Sequence, residues 1–124
     1  DLAARAEGLI CLTGGPDGPV GRLIRAQQGA RAQALVTRLA GLFPGRLYVE
    51  LQRHPGEGGL PEAERLTERP FVEMAYALDL PLVATNDVHF PDPGLYEAHD
   101  ALLCIAQGAY VDQQEPRRRL TPQH

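Results

Sequence analysis

Leu47-Tyr48-Val49-Glu50-Leu51-Gln52-Arg53-His54 is the stretch on which the fold turns. An apolar, β-prone run sits between Pro44-Gly45 and the loop residues Pro55 to Gly59, which predicts a strand over 47–51. Immediately upstream, Ala30 to Phe43 reads as a helix whose buried face carries Leu35, Leu39, Leu42 and Phe43. A shorter helix, Val20 to Gln28, precedes it, with Gly29 dividing the two. Further back, Gly8 to Thr13 is an apolar run ended by Gly14-Gly15-Pro16, and its length and flanks favour a buried strand.

Downstream, a helix is expected over Pro61 to Asp79, with Phe71, Met74, Ala75 and Leu78 as its core stripe. Pro70 either kinks it or marks its first turn. Pro81 to Thr85 is a third strand and hands over directly to Asn86-Asp87-Val88-His89. A last helix spans Pro93 to Gln107 with Asp92 as N-cap, and the polar stretch Gly108 to His124 is irregular. Apolar strands alternating with helices imply an α/β fold with a parallel sheet. Three strands cannot close a barrel, so further strands are expected outside this sequence, which starts without Met and reads as an excised piece.

The length, 124 residues, suits one domain and not two. The formal net charge is −4 and every basic residue is Arg, so bulk electrostatic attraction to nucleic acid is not supported. Cys11 and Cys104 lie in apolar runs, as expected of reduced, buried thiols in a cytoplasmic protein rather than of a disulfide framework. No signal peptide or membrane-spanning stretch is visible.

In parallel α/β folds, the C-terminal ends of the strands converge on one rim, where sites are built. His54 follows the second strand; Asp87 and His89 follow the third. An Asp-x-His step leaving a strand points both side chains to one side, because the residue between them faces away. Two imidazoles and a carboxylate suit Zn, Mn or Fe, the chemistry of phosphoester hydrolysis. His99 is expected to be a packed or hydrogen-bonded helix histidine. Gly14-Gly15 and Gly18-x-x-Gly21 match neither phosphate-loop spacing and read as a turn. The run Arg117-Arg118-Arg119 reads as a solvated or interdomain salt-bridging segment, and Glu50 is left either lining the rim or solvated.

Leu-Tyr-Val-Glu-Leu-Gln-Arg-His (47–54), Leu-Val-Ala-Thr-Asn-Asp-Val-His-Phe (82–90) and Tyr-Glu-Ala-His-Asp-Ala-Leu-Leu-Cys-Ile (96–105) together resemble one family. It is the polymerase-and-histidinol-phosphatase (PHP) domain, in the form at the N-terminus of the bacterial replicative DNA polymerase III alpha subunit. The likeness covers nearly the whole chain and implies that residues 1–124 are the C-terminal portion of a distorted seven-stranded α/β barrel. It implies His54 in the family's third ligand motif, and Asp87 and His89 in its fourth, holding a cluster of two or three divalent ions. The activities implied are DNA-directed DNA polymerisation by the parent protein and a metal-dependent, 3′–5′ proofreading-type phosphoesterase site. The implied partners are the rest of the polymerase chain, the other holoenzyme subunits including a proofreading exonuclease, and DNA. The competing implications are a non-catalytic scaffold that docks the proofreading subunit, or a free-standing PHP phosphatase.

Overall fold

The structure is a computed structural model that describes residues 2–56, 58–114, 117, 119–122 and 124. The chain forms two compact units, Asp1–Arg53 with Glu62–Thr85, and His54–Pro61 with Asn86–His124.

The first unit contains β1 (Cys11–Leu12), α1 (Pro19–Arg25), α2 (Gly29–Leu42), β2 (Leu47–Leu51), α3 (Glu62–Ala77) and β3 (Leu82–Ala84). The sheet order is β1-β2-β3, and both pairings are parallel. Cys11 lies opposite Leu47, and Val49 opposite Leu82. The ladder continues past the strand ends: Thr13 N–H donates to the Tyr48 carbonyl and Thr85 N–H to the Leu51 carbonyl, each at 3.0 Å. This is the α/β parallel arrangement expected from the alternation of apolar runs and helices.

Val20, Ala32, Val36, Phe43, Leu47, Val49, Phe71 and Ala75 form the core. Each fully buried aliphatic or aromatic side chain among them contributes about 1.5–3 kcal/mol of transfer free energy. In α2 the buried line runs through Ala32 and Val36 to Phe43, while Leu35, Leu39 and Leu42 are only partly buried beside it. The expected stripe is therefore displaced by part of a turn, with Phe43 common to both.

The outer strands differ from expectation. β1 is two residues long rather than six, and Leu9, Ile10 and Leu12 are 50%, 69% and 44% exposed. Gly8 at φ +75° breaks the extended run, and Leu9 N–H turns back to the Ala6 carbonyl. β3 is likewise short and open, with Leu82 exposed. Only β2, hydrogen-bonded along both edges, is the buried strand the sequence pattern implied. Pro70 lies inside α3 and not in its first turn. The break between α1 and α2 falls at Gln27, which adopts φ +57°, and Gly29 opens the second helix.

The glycines before α1 are a turn, closed by Gly18 N–H donating to the Gly15 carbonyl at 2.9 Å. Their spacing reflects close backbone approach. A Cβ on Gly21 would lie 2.5 Å from the Pro16 carbonyl oxygen, and one on Gly18 would lie 2.9 Å from Gly14 Cα.

The second unit is built on α4 (Tyr96–Gln107), entered through a 3-10 turn at Pro93–Leu95. The Asp92 carboxylate accepts from Gly94 N–H at 2.7 Å and fixes that entry. Gly108, at φ +64°, closes the helix in the left-handed conformation that suits glycine. Gly56 and Gly59 exchange backbone hydrogen bonds across the loop after His54. Arg117 departs from the solvated reading. Its side chain is fully buried and forms a bidentate pair with the buried Asp100, at 2.6 and 2.8 Å, while Nε donates to the Gln113 carbonyl. Arg119 Nε lies 3.9 Å from the same carboxylate, and Arg118 lies outside the described residues. Among the described residues, no helix is long and apolar enough to cross a membrane.

Candidate metal centre

The second unit gathers His54, Asp87, His89, His99 and His124. His54 follows β2 after two residues, and Asp87 follows β3 after two. Beyond β3 the backbone is irregular, yet the Asp-x-His step still turns both side chains together: His89 Nε2 lies 3.1 Å from Asp87 Oδ2, while the intervening Val88 is 66% exposed. His54 is 1% exposed, and its Nε2 accepts a 3.3 Å hydrogen bond from the Asp87 backbone N–H. The three sequence-predicted residues are thus joined through Asp87, which meets one histidine with its carboxylate and the other with its amide.

The donor set can be tested against a divalent ion. Ligand atoms about 2.0–2.2 Å from a tetrahedral ion are about 3.3–3.6 Å apart, so the 3.1 Å Asp87–His89 separation is close to the edge of such a polyhedron. For His54 to ligate through Nε2 it would have to release the Asp87 N–H, because one lone pair cannot serve both. Imidazole and carboxylate donors together favour Zn, Mn or Fe over Ca or Mg. The residues fit.

Two further histidines join the cluster. His124 stacks on His54, with ring centroids 3.8 Å apart and planes inclined by 21°. Its Nδ1 accepts from Thr121 N–H at 3.1 Å, which places the proton of the neutral ring on Nε2 and makes that atom a donor. His99 lies on α4, its ring 5.4 Å from His89 and 5.5 Å from Phe90. Its Nδ1 is buried and has no hydrogen-bond partner among the described residues. His99 is therefore packed, as expected, but not satisfied. The sequence carried no signal for His124, which reaches His54 from seventy residues away. A signal for His99 was present in the face it shares with Tyr96.

Glu50, in the first unit, is buried rather than solvated. Thr85 Oγ1 and Gln52 Nε2 donate to its Oε1, and its own N–H donates to Thr13 Oγ1 at 3.0 Å. The partners of the carboxylate are neutral, so this group ties β1, β2 and the end of β3 together.

Comparison with known proteins bears on what such a cluster belongs to. The PHP domain family matches residues 1–54. DNA polymerase III subunit alpha of Caulobacter vibrioides is 53% identical over 123 residues, 99% of this chain and 10% of that protein. The chain is thus similar over nearly its whole length to a segment of bacterial DNA polymerases, and over its first 54 residues to the PHP domain. DNA polymerase III subunit alpha of Escherichia coli is 38% identical over 94% of this chain, and the error-prone DNA polymerase of Symbiobacterium thermophilum is 38% identical over 98%. The chain spans about a tenth of the length of these relatives. The PHP match ends at His54, so Asp87 and His89 lie in the part likened to the polymerases by their whole-length similarity.

Proposed function

We propose that the chain is the C-terminal portion of the PHP domain of a DNA polymerase III alpha subunit, within a seven-stranded barrel, and that His54, Asp87 and His89 hold a divalent metal there. The parent protein is then a cytoplasmic DNA-directed DNA polymerase of chromosomal replication. Its partners are the rest of its own chain, DNA, and the other holoenzyme subunits, including the proofreading exonuclease.

The observation that carries the metal reading is the 3.1 Å contact of Asp87 with His89, adjoined by the Asp87 amide on His54. Two or three ions of the Zn, Mn or Fe class would supply Lewis acidity and lower the pKa of water towards ~7 for phosphoester hydrolysis. The chain's own part is to hold and orient. Asp87, the only carboxylate of the three, balances cationic charge, and its backbone sets the His54 ring. His89, with its side chain 29% exposed, is the member a phosphate-bearing substrate could approach.

Equilibrium dialysis of the chain against Zn²⁺ or Mn²⁺, followed by elemental analysis, tests the reading. Bound metal that falls at least tenfold in affinity in His89→Ala is expected. Absence of bound metal, or full retention in His89→Ala, refutes it.

A further inference from the structure

We propose that the outward face of α4 is a docking surface for an amphipathic helix of the parent polymerase outside these 124 residues, one whose apolar stripe is flanked by Arg or Lys. The inference rests on the reading of the chain as a segment of a DNA polymerase alpha subunit. It adds to that reading a contact in which the metal ligands take no part.

The first observation is that α4 is apolar on two opposite sides. Asp100 and Cys104 are buried one turn apart and mark the side turned into the second unit. Ala98 and Leu102 each stand about 200° around the axis from Asp100, because the helix has 3.6 residues per turn. Ile105 joins them on that outward side. All three are exposed, Leu102 by 62% and Ile105 by 78%. Leu95, at the N-cap, extends the line at 47%. A surface helix carries polar residues opposite its buried stripe, whereas one that is apolar all round lies between two neighbours. A contiguous bare patch of this kind marks an interaction site.

The second observation is what the patch would accept. Leu95, Ala98, Leu102 and Ile105 follow one another by three, four and three residues, the alternation by which one helix packs along another at a shallow angle. Among the described residues of this unit, Asp92, Glu97 and Asp112 are exposed. Arg117 is buried in its pair with Asp100, and Arg119 lies near the same carboxylate. The surroundings of the stripe are acidic, and their complement is cationic.

The third observation is area. Leu95 to Ile105 covers about 15 Å of a helix about 10 Å wide, which buries on the order of 300 Å² per partner. Separate molecules associate specifically through about 800 Å² per partner. A second copy of the chain therefore gains too little from this face alone. A helix tethered in the same polypeptide escapes most of the translational and rotational cost of association. The similar polymerases have the length to supply it, since the chain spans about a tenth of each.

Hydroxyl-radical oxidation of the intact, unsubstituted parent polymerase tests the cover, read by mass spectrometry at Leu102 and Ile105 and referred to the same side chains in urea. The exposures in the isolated chain would leave both nearly as reactive as when unfolded. The expected result is protection of both by at least about tenfold, as at the packed centre of an interface. Reactivity of either side chain close to its unfolded value overturns the proposal. A photoreactive p-benzoylphenylalanine in place of Leu102 identifies the occupant. It should cross-link within the same polypeptide, to a segment outside these residues with apolar positions three and four apart and Arg or Lys beside them. A cross-link to a second copy, to another subunit, or to a segment without basic flanks overturns the proposal. The footprint of the unsubstituted protein stands whatever that variant does to folding. A parent reading frame without polymerase sequence beyond these residues sinks the proposed function itself, whereas rapid oxidation of Leu102 and Ile105 in an intact polymerase sinks this inference alone.

Discussion

Two glycines inside helices should respond in opposite directions to the same substitution. Helix propensity alone says that Gly→Ala stabilises by about 1 kcal/mol at either position. At Gly41 in α2, nothing lies within 4 Å of the added Cβ, so that gain stands, reduced by the nearby helix end to about 0.5 kcal/mol. At Gly21 in α1, the Cβ would meet the Pro16 carbonyl oxygen at 2.5 Å and the Gly15 carbonyl oxygen at 2.6 Å. An ordinary carbon–oxygen contact needs about 3.3 Å, and the obstructing atoms are backbone, which has no rotamer to escape into. Either the helix or the turn must move by about 0.8 Å. Overpacking of this kind costs about 1–3 kcal/mol, and a backbone clash belongs at the upper end. Gly21→Ala should therefore lose about 2 kcal/mol net, and should stand about 2.5 kcal/mol below Gly41→Ala. Urea unfolding followed by far-ultraviolet circular dichroism reads this as midpoints separated by about 1 M or more at equal slope. A Gly21→Ala chain as stable as the unsubstituted one refutes the close-approach account and returns the glycine spacing to the phosphate-loop reading that was set aside.

Other predictions concern the second unit and the thiols. Hydrogen bonding from Arg117 holds the Asp100 carboxyl below the ordinary carboxylate range. A depressed folded value means that its stabilisation is fully present above the unfolded value of ~3.9 and is lost as pH falls through the lower, folded one. Asp100→Asn should therefore flatten the acid limb of a melting-temperature profile and speed amide exchange near α4 on the order of a hundredfold at neutral pH, since breaking a buried pair is costly. An unchanged profile would remove the pair from the acid response. The double variant His54→Ala, Asp87→Ala should lose the rise in melting temperature that saturating Zn²⁺ gives the unsubstituted chain, worth about 2.7 kcal/mol at a hundredfold excess over Kd; an equal rise in both would show that the ion sits elsewhere. Both cysteines are free, and burial raises the Cys11 thiol. Alkylation at neutral pH should be slower at both sites than for an exposed thiol and become fast on unfolding, whereas rapid labelling of native Cys104 would contradict its burial.

Local pattern carried the fold as far as local forces decide it. The β2 run was legible because Leu47 and Val49 are buried and its edges are paired on both sides, so its apolar composition matches its place. The runs at 8–13 and 81–85 carry the same composition but lie at sheet edges. Composition reports what a strand could bury, whereas pairing on one side only sets how long it stays a strand. Pro70 could not be placed from sequence because a proline is accepted either in a first turn or at a cost inside a helix, and tertiary packing of Phe71 and Ala75 decides for the interior.

The candidate centre divides along the same line. Asp87 and His89 are two residues apart, and their contact follows from backbone alternation; any sequence reading finds it. His54 required the further inference that consecutive parallel strands end on one rim. His99 and His124 lay beyond both rules, since each is delivered by packing within the second unit: His99 through Phe90 and the capped start of α4, His124 through Thr121. The contact of Asp87 with His89 was thus visible early, and the packing of His99 and His124 was hidden in long-range structure.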